Sequence, residues 1–268
     1  MKIENRVASC AESFWSKGAG FTYEDDGAHR FFRFRPGRGD GLVGPAGSGK
    51  TTLLKLTALK MVPDDGRIVF FSHKKEPHVW SKGKMLHSGL SDLSFLKSLI
   101  HYTPHVQRLN QDTTIESSLF MHAQLMRVPN PRKKIAEIIA KWGLAGYRKV
   151  PLYELSGAVL KRFLLARSLI VPAPIWIMDE PTEGLDPWGR YLLMHELKKR
   201  KRGQITLFAT TTDMDLAECA NDLMLLESGA CRRLGSRKIL TSGVTEGTVR
   251  AWYEAMQAFS YLRKEHHF

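Results

Sequence analysis

The chain has 268 residues, 43% hydrophobic and 25% charged, a balance that suits one sizeable folded domain. No apolar run approaches the roughly 18 residues that a membrane helix needs. The three cysteines (Cys10, Cys219, Cys231) are too few and too scattered for a disulfide framework or a zinc site, so we expect buried, reduced thiols in an intracellular protein. The net charge of +13 predicts attraction to an anionic partner, such as a membrane surface, a nucleic acid or an acidic protein.

The first half of the chain begins with predicted strands. Residues 31–35 mostly alternate between apolar and charged side chains and predict a strand, and residues 40–43 predict a short strand that runs into a glycine-rich loop. Leucines at helical spacing over residues 51–60 predict a helix, which is followed by a strand at residues 67–71. Residues 72–99 show no clear periodicity, so we assign no element there.

A helical pattern runs through residues 114–146 and is interrupted at residues 129–131, where two prolines lie. The remaining predicted elements are strands at residues 175–178, 205–209 and 223–226 and an amphipathic helix at residues 244–262. Strands that alternate with helices predict an α/β fold with a mostly parallel sheet covered on both faces.

The glycine-rich loop fits the phosphate-loop pattern G-x-x-x-x-G-K-[ST] at every fixed position. It consists of Gly44, Pro45, Ala46, Gly47, Ser48, Gly49, Lys50 and Thr51, followed by Thr52. The glycines let successive backbone N–H groups point at phosphate oxygens, and the following helix adds the positive end of its dipole. Lys50 can then reach the terminal phosphates, and the Thr51 hydroxyl can bind Mg²⁺. The loop therefore predicts binding of ATP with Mg²⁺.

Two acids end the apolar strand at residues 175–178. The carboxyl ends of buried parallel strands meet at the ligand crevice, so we expect Asp179 to hold the Mg²⁺ shell and Glu180 to polarise the attacking water. A strand that ends in a solvated acidic turn is the alternative, and the phosphate loop in the same chain argues against it.

The order of these motifs resembles the ABC ATPase family. Residues 155–162 (LSGAVLKR) precede an LAR run and then residues 178–187 (MDEPTEGLDP), in the order of that family's signature motif, Walker B strand and D-loop. The resemblance covers about residues 37–235. It implies a P-loop NTPase (RecA-like) core with an ABC-type antiparallel β element and an inserted helical subdomain.

The resemblance also implies roles for single residues. Asp179 corresponds to the Walker B aspartate, Glu180 to the catalytic glutamate and Asp186 to the D-loop aspartate. Ser156 and Gly157 correspond to the signature motif, which contacts ATP bound on a second nucleotide-binding domain. Such domains work as head-to-tail pairs, so the chain is expected to pair with itself or a relative. In that family an aromatic residue before the first strand usually stacks on adenine; Tyr23 is the candidate, and Phe21 is the alternative.

Three departures from the family pattern predict slow or partner-dependent turnover. Ala158 and Val159 replace the Gly and Gln that are usual in the signature motif. His105 occupies the position of the Q-loop glutamine, with Gln107 nearby. Thr212 stands where a switch histidine normally contacts the γ-phosphate, and a threonine hydroxyl can donate a hydrogen bond but cannot carry a proton charge near neutral pH.

Within the family, the chain is similar to the ATP-binding subunit of the cytochrome c maturation (haem-handling) complex. The similarity lies in residues 143–147 (GLAGY), Val150-Pro151, Leu155-Ser156 and residues 176–181 (WIMDEP). It implies a polytopic membrane subunit as partner and a peripheral position on the cytoplasmic face of a bacterial membrane or the matrix face of the mitochondrial inner membrane. The basic charge suits both, because both surfaces carry anionic lipid.

We expect residues 1–243 to form one nucleotide-binding domain, with the helical subdomain at about residues 112–165, and residues 244–268 to form a C-terminal helical extension. The leading hypothesis is an ATP-driven subunit that powers a separate membrane protein. The alternatives are a ribosome- or RNA-associated ABC protein and a structural subunit that binds nucleotide with little hydrolysis. No aromatic residue interleaves the basic run at residues 198–202, so nucleic acid is not favoured.

Overall fold

The computed structural model describes ten stretches of the chain. They are residues 20–25, 30–34, 39–63, 67–72, 75–81, 84–86, 90–106, 109–171, 173–199 and 204–265. Cys10 and Gln107 lie outside these residues. Within them neither Cys219 nor Cys231 forms a disulfide; Cys231 is buried, as expected, whereas Cys219 is only partly buried.

Two sheets, nine α-helices and two 3-10 helices (Ala145–Tyr147 and Leu152–Glu154) form the described part of the fold. The strands are β1 (Gly20–Asp25), β2 (Arg30–Phe34), β3 (Gly39–Val43), β4 (Arg67–Ser72), β5 (Lys75–Ser81), β6 (Lys84–Leu86), β7 (Ile100–Thr103), β8 (Ile175–Asp179), β9 (Ile205–Thr210), β10 (Asp222–Glu227) and β11 (Ala230–Ser236). The helices are α1 (Lys50–Thr57), α2 (Leu90–Leu99), α3 (Ile115–Leu125), α4 (Pro131–Lys141), α5 (Gly157–Leu169), α6 (Pro187–Lys198), α7 (Met214–Ala217), α8 (Arg237–Thr241) and α9 (Val249–Glu265).

The larger sheet has the order β11-β10-β3-β9-β8-β7. Its strands β10, β3, β9, β8 and β7 are parallel, and only the edge strand β11 is antiparallel to its neighbour β10. All six residues of β9 are buried, as expected for a parallel strand covered on both faces. The predicted parallel sheet is therefore confirmed.

Two hydrophobic clusters cover the two faces of this sheet. Successive side chains of a strand point to opposite faces, and the central strands follow this rule. On β9, Leu207 belongs to one cluster and Phe208 to the other; Ile177 and Met178 on β8 divide in the same way. The sheet thus lies between two hydrophobic cores, one on each face.

The smaller sheet is antiparallel and has the order β2-β1-β4-β5-β6. The predicted strands at residues 31–35 and 67–71 correspond to β2 and β4. Residues 72–99, where the sequence showed no period, contain β5, β6 and α2. Strand β5 reads KEPHVWS, and the hydrophobic pattern is weak because Val79 and Trp80 are its only large apolar residues.

The helices α3, α4 and α5 pack around a buried tryptophan. Trp142 is fully buried, together with Leu119 and Phe163. The break predicted at residues 129–131 is confirmed, because α4 begins with Pro131 at its first position after Asn130 in the left-handed conformation. The side chain of Thr114 caps α3 by accepting a hydrogen bond from Ser117 N.

The C-terminal helix α9 joins the same core. Its residues Val249 and Trp252 are buried, and Glu218 Oε1 accepts a hydrogen bond from Val249 N. The amphipathic helix expected at residues 244–262 thus lies a few residues further along. None of the helices in the described stretches combines the length and the apolar content that crossing a bilayer requires.

Candidate functional site

The phosphate loop joins β3 to α1, as the pattern predicted. Gly47 and Gly49 have φ angles of 75° and 99°, a region that favours glycine. Gly44 lies against the neighbouring strand, so that a Cβ there would stand 2.1 Å from Leu226 O. Gly229 N donates to Ser48 O at 3.1 Å, which ties the loop to the turn between β10 and β11.

Lys50 is folded into this loop. Its side chain is buried, and Nζ donates to Gly44 O at 2.7 Å and to Pro45 O at 2.9 Å. Burial lowers the pKa of Lys50, while the nearby Glu180 and Asp179 act in the opposite direction. The structure thus places an ammonium group, two acids and the loop in one site.

Thr51 and Asp179 meet directly. Thr51 Oγ1 donates to Asp179 Oδ2 at 2.8 Å, although the two residues are 128 positions apart in the sequence. Asp179 is 3% exposed, and its Oδ1 has no hydrogen-bond partner among the described residues. Burial and the neighbouring Asp179 raise the pKa of Tyr102. A hydroxyl and a carboxylate oxygen are ligands that suit Mg²⁺, so the residues present fit that ion. Thr52, next along α1, is exposed.

Glu180 follows Asp179 in an unusual backbone conformation. Its φ angle is 43°, in the left-handed region, and its N–H donates to Ala209 O at 3.1 Å. Its Oε1 accepts a hydrogen bond from Thr211 Oγ1 at 2.5 Å, and its carbonyl oxygen accepts one from Lys161 Nζ at 3.2 Å.

Three threonines in a row lie at the end of β9 and in the loop that follows it. Thr212, which the family resemblance assigns to the switch position, is exposed. The hydroxyl that reaches Glu180 belongs instead to its neighbour Thr211. Thr210 Oγ1 accepts from Asp213 N at 3.0 Å and thereby shapes the turn. The family resemblance did not point to Thr211. The only feature of the sequence that could have indicated it is a hydroxyl next to the switch position.

His105 lies on the loop that follows β7. Its Nε2 is 2.9 Å from Glu183 Oε2, and the two side chains are 41% and 60% exposed. This contact joins the Q-loop position to the segment between Glu180 and Asp186. Both side chains are accessible to solvent.

Ser156 and Gly157 lie at the N-terminus of α5, and both are exposed. The Ser156 side chain caps this helix by accepting from Val159 N at 3.4 Å. Val159, which replaces the usual glutamine, is buried in the hydrophobic core. The departure at this position therefore turns a polar side chain of the motif into a packing residue. Lys161, on the same helix, was not singled out by sequence reasoning.

Asp186 caps α6, because its Oδ1 accepts from Gly189 N at 2.8 Å. Its Oδ2 is 3.4 Å from Nε of the buried Arg162, whose Nη1 donates to Trp142 O at 3.2 Å. Arg162 thus connects the D-loop position to the helices around Trp142.

The remaining predicted residues lie on other elements. Tyr23 and Phe21 lie on β1 of the smaller sheet, where Tyr23 pairs with Phe32 on one side and Ile68 on the other. Two exposed basic residues, Arg132 and Lys133, lie in α4. Lys198, the first residue of the basic run at residues 198–202, ends α6, and residues 200–202 lie outside the described part of the chain.

A phosphate loop placed against a carboxylate-ended strand of a parallel sheet defines a P-loop nucleotide-binding protein. A sequence model described as "ABC transporter" matches residues 30–183. This match covers more than half of the chain, so the chain belongs to the ABC transporter family. The family assignment made from the sequence is confirmed.

Two named relatives are similar to this chain over most of its length. "Nod factor export ATP-binding protein I" from Ralstonia nicotianae is 28% identical over 201 residues, which is 74% of this chain and 58% of that protein. The protein of the same name from Rhizobium sp. (strain N33) is 31% identical over 194 residues, 70% of this chain and 59% of that protein. The chain therefore spans less than two thirds of the length of these relatives.

Solved structures share the fold. An ATP-binding subunit of an ABC transporter superposes with a TM-score of 0.70 at 16% identity and covers 89% of this chain and 99% of that one. A dimeric ATP-binding cassette in a post-hydrolysis state, bound to ADP and phosphate, gives a TM-score of 0.64 at 19% identity and covers 81% and 98%. The expected P-loop core with an antiparallel β element and a helical subdomain is confirmed by these likenesses.

Proposed function

We propose that this chain is the ATP-binding and ATP-hydrolysing subunit of an ABC transporter. The observation that carries the proposal is the contact between Thr51 Oγ1 and Asp179 Oδ2 at 2.8 Å, with Glu180 adjacent and the Lys50 ammonium in the same site. This contact joins the two motifs that a P-loop ATPase needs to hold a nucleotide and a metal ion.

The proposed mechanism uses the groups of this site for positioning and electrostatics. The backbone N–H groups of the loop and the start of α1 bind the phosphates, and Lys50 exchanges its two carbonyl partners for phosphate oxygens. Thr51 and Asp179 would hold Mg²⁺, which neutralises phosphate charge when it is bound. The Glu180 carboxylate polarises the attacking water and accepts its proton. Tyr23, or Phe21, stacks on the adenine.

The proposal includes a second nucleotide-binding domain as partner. Ser156 and Gly157 are exposed at the N-terminus of α5, where they are accessible to a nucleotide on another chain. Asp186, at the D-loop position, and His105, which is paired with an exposed glutamate, lie on loops that such a partner would contact. Pairing on ATP binding, and release after hydrolysis, would drive a polytopic membrane subunit.

The net charge of +13 supports a peripheral position on an anionic membrane surface. The haem-handling role expected from the sequence, and the mitochondrial location that came with it, receive no support from the relatives, whose printed name concerns Nod factor export. The transported compound is therefore not part of the proposal.

A structural subunit that binds nucleotide with little hydrolysis is the second candidate. It is favoured by the exposed Thr212 and the buried Val159 at positions where the family resemblance expects a histidine and a glutamine. Slow hydrolysis by the full chain would reconcile both observations with the retained Asp179 and Glu180.

The test compares the full chain with its Glu180→Gln variant. We expect calorimetry to detect binding of Mg-ATP by both, hydrolysis by the wild type only, and an ATP-dependent dimer of the variant in light scattering, because removing the acid traps the bound nucleotide. Binding without hydrolysis by either protein would favour the structural subunit. Failure of both to bind Mg-ATP would reject the proposal.

A further inference from the structure

We infer that Thr211 and Lys161 are positioning residues that hold Glu180 in its active orientation, with Thr211 taking the place of the missing switch histidine. This inference rests on the proposed hydrolytic function of the same site. It assigns roles to two residues that the family motifs leave unassigned.

The backbone of Glu180 needs to be held. A non-glycine residue with a positive φ is strained by about 1 kcal/mol or more, and such strain persists only where the surroundings fix it. Two contacts from different elements fix the Glu180 main chain: its N–H donates to Ala209 O on β9, and its carbonyl accepts from Lys161 Nζ on α5. The residue is therefore anchored on both sides of its Cα.

Thr211 fixes the carboxylate itself. The Thr211 hydroxyl donates a short hydrogen bond of 2.5 Å to Glu180 Oε1. One oxygen of the carboxylate is thereby held by Thr211. A threonine hydroxyl does not gain or lose a proton near neutral pH. Thr211 therefore orients the acid and does not act as a proton carrier.

Lys161 brings a positive charge to the same group of acids. Burial lowers its pKa, while Glu183, Glu180 and Asp179 raise it, in that order of influence. The helix that carries Lys161 begins at the exposed Ser156–Gly157 pair. One end of α5 thus faces outward, toward the proposed partner nucleotide, while Lys161 contacts the catalytic glutamate of its own chain.

The Thr211 experiment measures steady-state and single-turnover ATP hydrolysis and nucleotide affinity for the full chain. We expect Thr211→Val to lower kcat by roughly 10- to 100-fold with KM changed by less than about 2-fold, because the lost interaction orients a reacting group and does not bind ATP. Thr211→Ser restores the hydroxyl and should keep kcat within about 3-fold of wild type. Thr206→Val, at the far end of β9, is the matched control and should leave kcat unchanged.

The Lys161 experiment uses the same readouts. We expect Lys161→Met to lower kcat by roughly 10-fold at constant nucleotide affinity and Lys161→Arg to recover part of the loss, since a cation returns to the Glu180 carbonyl. Lys133→Met, on the exposed surface of α4, is the control.

The outcomes separate this inference from the proposed function. Wild-type kcat in both Thr211→Val and Thr211→Ala would overturn the role of Thr211 while leaving the ATPase intact. An equal loss in Thr206→Val would show a general effect of strand β9 and would also overturn it. If the wild type binds ATP but hydrolyses none in a single turnover, the hydrolytic function fails, and the inference fails with it.

Discussion

At the scale of single residues, the site is built from groups that are costly to bury. Lysine is almost never fully buried unless it is paired, yet Lys50 is 5% exposed and held by two carbonyl oxygens of its own loop. The loop therefore presents a desolvated cation next to the acids at the end of β8. A phosphate can replace the carbonyls, because it offers oxygens that carry full charge.

We expect Lys50→Ala to weaken binding of Mg-ATP by roughly 10- to 100-fold, because a charge-assisted hydrogen bond contributes about 1.5–3 kcal/mol. Titration calorimetry on the full chain measures this change. Lys97→Ala, on the exposed surface of α2, is the control and should bind as the wild type does. If Lys50→Ala bound Mg-ATP as tightly as the wild type, Lys50 would not contribute to triphosphate binding.

At the scale of elements, the phosphate loop packs between the helix α1 that follows it and the neighbouring strand β10. Gly44 faces Leu226 O of β10 and Ser48 Oγ, whereas Gly47 has no atom within 4 Å of the place where its Cβ would stand. The two glycines are therefore needed for different reasons. One allows close packing, and the other only allows a positive φ.

This contrast predicts different stabilities for two alanine variants. Gly44→Ala should lower the free energy of unfolding by about 3 kcal/mol or more, because β10 cannot move away without breaking the sheet. Gly47→Ala should cost only about 1 kcal/mol, the strain of a non-glycine residue at positive φ. Urea titrations measure both, and equal losses in the two variants would contradict the steric account.

The elements differ in how well they could be predicted from the sequence. The phosphate loop, Asp179 and Glu180, and the helices on either side of Pro131 follow from local patterns, because each depends on residues that are close in the chain. Strand β5 does not, since its stability comes from pairing with β4 and β6 and not from its own periodicity. Thr211 and Lys161 were missed for a similar reason. Their roles depend on their contacts with Glu180 in the folded protein, and sequence motifs carry no information on such contacts.

At the scale of the whole molecule, two histidines link stability to pH. His101 on β7 and His122 on α3 have ring centroids 6.0 Å apart. Burial lowers the pKa of each to about 4; His122, Arg167 and Lys60 add to the effect on His101, and Arg167 adds to that on His122. Both imidazoles are therefore neutral in the folded protein at pH 7.

These shifts predict that the protein loses stability in mild acid. The unfolded chain binds protons at these histidines near pH 6.5, and the folded chain only near pH 4, so the free energy of unfolding falls as pH decreases through that window. We expect a loss of about 2 kcal/mol between pH 7 and pH 4.5, allowing for partial exposure. Urea titrations at both pH values test this.

A double variant, His101→Gln with His122→Gln, should lose less stability than the wild type over the same pH range. The single variant His195→Gln, whose ring is 41% exposed on α6, should behave as the wild type does. A double variant with the full wild-type pH dependence would contradict the assignment to these two rings.

The charge of the whole chain predicts binding to anionic lipid. We expect the full chain to sediment with vesicles that contain phosphatidylserine and not with pure phosphatidylcholine vesicles. Binding should weaken steeply as salt rises from about 50 to 500 mM, because the Debye length shortens from roughly 14 Å to about 4 Å. Equal binding to both vesicle types would remove the electrostatic argument for a peripheral position.

The contacts of Arg162 have a consequence for motion. This one buried guanidinium is bonded to the backbone of Trp142 and lies against the carboxylate that starts α6. The helical region and the segment after the catalytic strand should therefore open together, as one cooperative unit in amide hydrogen exchange. Arg162→Ala would divide that unit in two, with the amides at the start of α6 exchanging first.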